Sequence, residues 1–324
     1  MKRIGVVGAG AMGREHLKNL AEVPGVEVVV VADALIEAAR RAAGQCGADA
    51  TDDADGVVRD TDLDAVVIAS PDETHAAFAI AAIESGLMVL CEKPLATDLR
   101  SVARIVDAEV ALGHRVLQVG FMRVYDEAHR QVADELGTIG TVRQLRCVHR
   151  NANAGCLRSV DTVLTGSVIH DVHTVRWLTG DEVARVRTTS VARPGGVAFV
   201  HVVAELANGG IATIDFDDTA FGYEVTVEVN GTHGTVMTAP APRAIVSVGG
   251  ESRRHIGVDW FGRFADAYRR EAFVWTASVA EGKATGPSAW DGLAAQFVVD
   301  AAVRSEHSGV SESVELPDRP ALYD

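Results

Sequence analysis

Short apolar runs alternate with longer Ala-rich stretches through the first third of the chain. Val and Ile dominate residues 3–7 (RIGVV), 26–32 (VEVVVVA) and 64–69 (DAVVIA), while 12–22 and 35–43 between them have helical character. That is the βαβαβ rhythm of a parallel sheet. It continues with a helix over 74–85, a strand over 87–91 (LMVLC), a helix over 98–112 and 115–119 (RVLQV) as a sixth strand, filling one doubly wound domain.

Beyond Phe121 the texture changes. Residues 141–149, 183–193, 197–207, 210–216, 223–230 and 235–238 read as strands in succession, with Asn-Gly pairs at 208–209 and 230–231 marking turns. Strands without intervening helices predict an antiparallel or mixed sheet. Helical patterns over 126–136, 167–179, 260–281 and 289–307 would cover one face of it. The chain thus predicts an α/β doubly wound parallel sheet over 1–121 and an α+β domain with a mostly antiparallel open sheet over 122–324.

Composition narrows the chemistry. With 324 residues and 48% apolar content, burial is not limiting and two cores are the better fit. The 45 acidic residues against 30 basic give a net charge of -15, which argues against nucleic acid, an anionic membrane or a polyanionic substrate as partner. Cys46, Cys91, Cys147 and Cys156 are scattered, without a Cys-x-x-Cys pair or a His cluster at ligand spacing. They read as reduced packing residues rather than a disulfide framework or a metal site. No apolar run approaches the roughly 20 residues that span a bilayer. A first strand starting at Arg3 leaves no room for a signal peptide, so a cytoplasmic location is expected.

Gly8-Ala9-Gly10-Ala11-Met12-Gly13 lies where the first strand ends and the first helix begins, the context in which G-x-G-x-x-G binds a dinucleotide. Gly8 would permit the tight turn, Gly10 the approach of backbone to pyrophosphate and Gly13 the packing of helix on strand, with free N–H groups at the helix N-terminus. Asp33 ends the second strand 20 residues after Gly13, where a carboxylate can bond both adenosine ribose hydroxyls. Its plainer alternative is a helix cap before Leu35 and Ile36. A carboxylate there repels a 2'-phosphate, so NAD is favoured over NADP. Arg40 and Arg41, a helical turn further on, read as a solvated face.

At 89–97 the chain reads VLCEKPLAT. Together with GAGAMG at 8–13, SPDETH at 70–75, QVGFMRVYD at 118–126, HRN at 149–151, DW at 259–260 and GPSAWDG at 286–292, this resembles the glucose-fructose oxidoreductase, inositol dehydrogenase and MocA family. The likeness covers nearly the whole chain and is strongest to the bacterial inositol 2-dehydrogenase branch. It implies a Rossmann domain followed by a sheet domain, NAD as cofactor, a polyhydroxylated substrate and a homodimer or homotetramer; a solvent-facing sheet would suit that self-association. It also implies that Lys93 of Glu92-Lys93-Pro94 is catalytic, that the peptide before Pro94 is cis, and that Ser70, Pro71 and His75 shape the nicotinamide loop. Lys93 has an independent case: it follows a buried strand at the carboxyl edge of the sheet, where ligands bind, and could stabilise a developing alkoxide.

His170, in SVIHDVHTVRWL, matches the family's catalytic histidine. It would sit on an amphipathic helix packed through Val168, Val172, Val175 and Leu178. A neutral imidazole, with an ordinary pKa of about 6.5, suits acceptance of the alcohol proton; His173, one turn away, is the fallback. Arg123, Tyr125, His149, Asn151 and Tyr223 match or adjoin family positions around the substrate. One position departs: the family's Asp four residues before this histidine is Gly166 here. A glycine could admit a bulkier substrate, such as an aminocyclitol, a glycoside or an aminated sugar, with Asp161 or Asp171 orienting His170. Alternatively it could mark lost turnover and a dinucleotide or ligand sensor. The expected reaction is NAD-dependent oxidation of a secondary ring hydroxyl, or the reverse ketone reduction. Transient oxidation that drives elimination or glycoside cleavage is the enzymatic alternative.

Overall fold

A computed structural model of the chain describes residues 1–152, 158–220, 222–239, 245–254, 256–257 and 259–324. These form two compact units, the first from Met1–Met122, Tyr268–Gln296 and Pro317–Asp324 and the second from Arg123–Ala267 and Phe297–Leu316. The first junction lies one residue from the cut read in the sequence, but the first unit also takes two later segments.

The first unit alternates β1 (Lys2–Val7), α1 (Ala11–Leu20), β2 (Val26–Ala32), α2 (Ile36–Ala43), β3 (Asp49–Thr51), α3 (Ala54–Val58), β4 (Ala65–Ile68), α4 (Asp72–Glu84), β5 (Met88–Cys91), α5 (Leu99–Leu112) and β6 (Leu117–Val119). Its strands are all parallel, in the order β3-β2-β1-β4-β5-β6. The chain leaves β1 in one direction and returns to β4 on its other side, so the topological switch point falls where β1 ends, at the glycine turn. Ala65, Val66, Val67 and Ile68 are all fully buried, as a strand covered on both faces requires. The strand for which the sequence offered no range is β3, a three-residue half-polar edge (DAT) too short for a periodicity.

The second unit contains α6 (Glu127–Glu135), β7 (Val142–Ala152), α7 (Val160–Val163), a π-turn over Leu164–Val168, and α8 (Ile169–Thr179). Next come β8 (Val183–Arg193), β9 (Gly196–Leu206), β10 (Ile211–Ala220), β11 (Glu224–Gly231), β12 (Thr235–Met237) and a separate hairpin of β13 (Ile245–Val248) and β14 (Glu251–Arg254). The helices α9 (Trp260–Glu281) and α10 (Ala289–Ser308) and the two-residue β15 (Glu312–Ser313) finish the chain. The seven-stranded sheet runs β12-β11-β7-β10-β9-β8-β15 and is antiparallel except where β7 meets β10. Leu145, Cys147 and His149 of β7 and Ile214, Phe216 and Asp218 of β10 face the core. The alternate residues face outward and pair across strands, Arg146 with Asp215 at 2.8 Å and Arg150 with Glu224 at 2.6 Å.

Three expectations change. The Asn208-Gly209 turn forms with Gly209 at φ +88°, but Asn230 and Gly231 end β11 and the turn follows them. The helix carrying His170 is buried on every face rather than amphipathic, although Val168, Val172, Val175 and Leu178 do pack inside. Residues 268–296, expected over the second sheet, belong instead to the first unit, and the close approach of α10 gives one reason. A Cβ on Gly292 would lie 2.9 Å from Leu95 Cδ2 and 3.2 Å from Val119 Cγ2. The helix starts there through a reciprocal cap: Ser288 Oγ accepts from Asp291 N–H, and Asp291 Oδ2 accepts from Ser288 N–H.

Cys46, Cys91 and Cys147 are free thiols, the last two buried; Cys156 lies outside the described residues. Among the described residues no helix is long and apolar enough to cross a membrane. The variant Gly292→Val should overpack the α10 contact and lower stability by about 1–3 kcal/mol. Its urea midpoint checks this; a wild-type midpoint would mean α10 does not depend on the missing side chain.

Candidate active site

Steric facts at three glycines shape the cofactor turn. Gly8 has φ +101°, and a Cβ on it would lie 2.3 Å from the Ala69 carbonyl oxygen. A Cβ on Gly13 would lie 1.8 Å from the Gly8 carbonyl oxygen, so α1 could not pack down on β1. Gly10 is the opposite case: no described atom comes within 4 Å, and the exposed backbone is free to meet a pyrophosphate. Ala11 and Met12 open α1 beside it.

Asp33 binds the turn from the end of β2. Its Oδ2 accepts from Ala9 N–H at 2.8 Å and its Oδ1 from Leu35 N–H at 2.9 Å, so it holds the glycine turn and the entry to α2 together. Each oxygen keeps a second acceptor site for a ribose hydroxyl. Asp33 thus fixes the loop before α2 without capping the helix, whose N-cap is Leu35. Arg40 and Arg41 are exposed, and Arg40 pairs with Glu37 on its own helix, leaving the ribose end without a cation from this segment.

At the far side of the switch point, His75 is 1% exposed and its two ring nitrogens face carbonyl oxygens, Pro94 at 2.7 Å and Ser70 at 2.9 Å. It thereby ties the Ser70-Pro71 turn to the Lys93-Pro94 turn, whose peptide is cis. Glu92 is buried against His16, with Oε1 2.8 Å from Nε2, and its Oε2 accepts from Lys93 N–H at 3.3 Å. Burial alone would push the Glu92 carboxyl up, but the His16 hydrogen bond and the charges of His16, Lys93 and His75 hold it below the usual carboxylate range. One turn system thus brings together a bare backbone at Gly10, the Asp33 carboxylate and, on the cis-proline loop, Lys93.

The second unit gathers another set. Asp171, fully buried on α8, accepts from Arg123 Nη1 at 2.5 Å and faces His149 Nδ1 at 2.9 Å. Nδ1 also lies 3.1 Å from Arg123 Nη2, and it cannot accept from one and donate to the other. The charged, nearer acceptor wins, so His149 donates to Asp171 and turns a lone pair on Nε2 toward the Tyr223 hydroxyl at 3.4 Å. Burial works against the Asp171 carboxylate, yet Arg123 and His149 hold it down to about 2. Burial also pushes the Tyr223 phenol up to about 12, so it remains a hydroxyl donor.

The remaining sequence candidates lie around this set. Tyr125 ends a 3-10 turn (Met122–Tyr125), and the Asn151 amide lies 3.4 Å from Asp218 Oδ1. His170 and His173 are 8% and 3% exposed. Gly166 sits inside the π-turn, and no described atom would touch a Cβ there. Asp161 pairs with His307 at 2.9 Å, and the two Asp171 oxygens meet Arg123 and His149. Sequence reasoning weighed Asp171 only as a neighbour of His170. The helix sequence IHDVHTVRWLT is as rich in polar as in apolar residues, so its composition gave no sign that Asp171 would be buried.

A six-stranded parallel sheet with a bare glycine turn at its switch point and a carboxylate closing its second strand defines an NAD-binding oxidoreductase. Residues 2–121 match the oxidoreductase family's NAD-binding Rossmann fold and residues 135–316 its C-terminal alpha/beta domain, so the chain belongs to the glucose-fructose oxidoreductase, inositol dehydrogenase and MocA family. It is 40% identical to inositol 2-dehydrogenase 1 of Saccharopolyspora erythraea over 99% of this chain and 98% of that protein. It is 38% identical to inositol 2-dehydrogenase of Klebsiella pneumoniae, again over 99% and 98%. The solved structure of Lactobacillus casei myo-inositol dehydrogenase with NAD(H) and myo-inositol superposes with a TM-score of 0.95 at 31% identity, covering 100% of both chains. The chain is an NAD-dependent dehydrogenase acting on a CH–OH group.

The buried Arg123–Asp171 pair sets a test. Asp171→Asn keeps the shape but leaves the guanidinium without its counter-ion, which should cost about 3–5 kcal/mol of stability by chemical denaturation. The Asp171 carboxyl is held below its ordinary value of 3.8, so its contribution is complete above that value and is lost as pH falls toward about 2. An acid titration of the wild type should show this loss and the variant should lack it. Equal acid slopes would mean Asp171 does not carry the effect.

Proposed function

We propose that the protein oxidises a secondary hydroxyl on a cyclitol of the inositol class, with Lys93 and His170 handling the reacting oxygen. The observation that carries this reading is the end-to-end likeness to a dehydrogenase solved with NAD(H) and myo-inositol. NAD, when bound, supplies the hydride acceptor.

The residues of the chain have distinct parts. Gly8, Gly10 and Gly13 admit the pyrophosphate, and Asp33 takes the ribose hydroxyls while excluding a 2'-phosphate. The Lys93 ammonium donates to the hydroxyl oxygen and stabilises the negative charge that develops there. The His170 imidazole accepts the hydroxyl proton. Tyr223, Asn151 and Tyr125 offer hydrogen bonds to the other ring hydroxyls. Arg123 and His149, locked to Asp171, hold the Tyr223 phenol and the start of α8 in place. In the reverse direction His170 returns the proton to a ketone oxygen.

Gly166 carries the finer specificity. The space beside its Cα supports a substrate with a substituent larger than a hydroxyl, an aminocyclitol or a substituted sugar, alongside or instead of an unsubstituted inositol. NADH absorbance during a screen of inositols, aminocyclitols and sugars tests this together with Gly166→Asp, which should raise the preference for unsubstituted inositol. Lys93→Met and His170→Asn should each lower kcat by about 10²–10⁴-fold while leaving NAD binding by calorimetry close to wild type. Product without net NADH would assign transient oxidation instead. Wild-type turnover unchanged in both variants would remove Lys93 and His170 from the chemistry.

Self-association belongs to the same reading. The outward face of the seven-stranded sheet sets Val148 and Phe199 among Arg146, Arg150, Asp215 and Asp217 around a shallow hollow of about 260 Å³, a mixed surface that can meet its own copy. Sedimentation should give a dimer or tetramer, and Phe199→Asp should shift it toward monomer. A monomeric wild type would reject this assignment.

A further inference from the structure

The first unit buries a second carboxyl group, and the chemistry described so far does not use it. Glu271 of α9 is 0% exposed, and neither of its carboxyl oxygens has a hydrogen-bond partner among the described residues. Gln118 of β6 is equally buried, and both ends of its amide are likewise without a partner. Four unmet polar atoms in one interior are costly, and such a group commonly encloses water. Glu271 feels the Gln118 amide and the charge of Glu92, and the absence of a side chain at Gly120 leaves room on the Glu92 side: a Cβ there would come within 3.1 Å of the Glu92 carboxylate.

Two carboxylates cannot both ionise so close together in the interior, and their surroundings decide which one does. Glu92 has two donors, the His16 ring and the Lys93 backbone N–H, whereas Glu271 has only the neutral Gln118 amide near it, beyond a formed hydrogen bond. Charge therefore resides on Glu92 and the proton on Glu271. Burial first, and then repulsion from Glu92, push the Glu271 carboxyl well above its ordinary range, in agreement with that division.

We propose that Glu271 is a positioning residue for Lys93: it stays protonated and donates, directly or through an enclosed water, toward Gln118 and Glu92, leaving Glu92 as the single charge that grips the Lys93 peptide. This rests on the reading of Lys93 as the group that meets the reacting oxygen. Ionisation of Glu271 releases its proton to solvent and sets a second negative charge against Glu92, which then loosens its hold on Lys93 N–H. The other titratable groups that bear on the pair are His16 of α1, Tyr268 of α9 at the edge of the His16 ring, Cys91 at the end of β5, and His75 and Lys93 beyond Glu92. A raised carboxyl stabilises the fold fully below its ordinary range, and that contribution is lost as pH rises through the raised value.

Glu271→Gln keeps a neutral side chain that can donate, and Glu271→Leu removes the donor. The difference infrared spectrum of wild type minus Glu271→Gln near neutral pH should contain a protonated-carboxyl band. Its absence would overturn the proposal whatever the enzyme turns over. Labelling of the Lys93 amine by a small acylating reagent, followed by mass spectrometry, reads position without activity. Its rate should match wild type in Glu271→Gln and differ several-fold in Glu271→Leu. In turnover, Glu271→Leu should lower kcat by roughly ten- to a hundredfold with KM for NAD little changed, and Glu271→Gln should keep kcat and lose the alkaline fall of the wild-type profile. If Glu271→Leu does not fold, the alkaline limb in wild type and Glu271→Gln decides: a limb shared by both would reject the positioning role. If no polyol is oxidised, the Lys93 reading falls, while the infrared band and the labelling rates still judge Glu271.

Discussion

A carboxylate carried into the interior must be met by donors, and this requirement fixes more of the molecule than any single apolar contact. In the second unit Asp171 meets Arg123 and His149, and Asp126 meets Arg263 and His129, all at 2.5–3.0 Å. In the first unit Glu92 meets His16 and the Lys93 backbone. Desolvation of these charges roughly cancels the attraction within each pair, so the pairs add little net stability. Breaking one leaves a buried unpaired charge, which costs several kcal/mol and so excludes other arrangements of the same elements. Arg123 thereby fixes the start of the second unit to α8, and Arg263 fixes the start of α9 to the cap of α6.

The same accounting explains why the histidines differ. His149 donates to a carboxylate, which selects its tautomer and leaves Nε2 as an acceptor for Tyr223. Burial outweighs Asp171 and keeps His149 below the ordinary imidazole range, so it stays neutral and serves as a fixed acceptor rather than a charge. His75 clasps two backbone carbonyls and acts on loop geometry. Histidines 16, 75 and 149 thus occupy three chemical situations, set by a glutamate, two backbone carbonyls and an aspartate with an arginine beside it.

Features set by local sterics were legible in the sequence. Gly8, Gly10 and Gly13 have roles that follow from where a Cβ would fall, and Val26–Ala32 and Val183–Arg193 were bounded to the residue because β-branched runs end at turn-forming residues there. Features set by tertiary pairing were not. The partner of Asp171 is 48 residues away, that of Glu92 76 residues away, and nothing in a period of 2 or 3.6 signals either. The three-residue β3 was too short to register, and α9 was bounded to the residue and α10 to within one, while their assignment to units depended on contacts such as Gly292 with Leu95. The π-turn escaped for another reason: four of its residues, TGSV, are weak helix formers that gave no helical signal ahead of 167, and the widening is a backbone event.

That widened turn bears on the proposed sharing of catalysis between Lys93 and His170. π-Turns within helices recur at functional sites because they displace the residues that follow without ending the helix, and His170 comes two residues after this one. With glycine at position 166, the carboxylate that the family resemblance implies one helical turn before His170 is not there to strengthen it as a base. A weaker base takes the proton later, when more negative charge has built up on the oxygen. More of the transition-state stabilisation must then come from the group opposite that charge, the Lys93 ammonium. On this reasoning the Glu92 and Glu271 pair proposed to position Lys93 matters more in this chain than it would beside a carboxylate-assisted histidine, since an error in the placement of Lys93 has less to compensate for it.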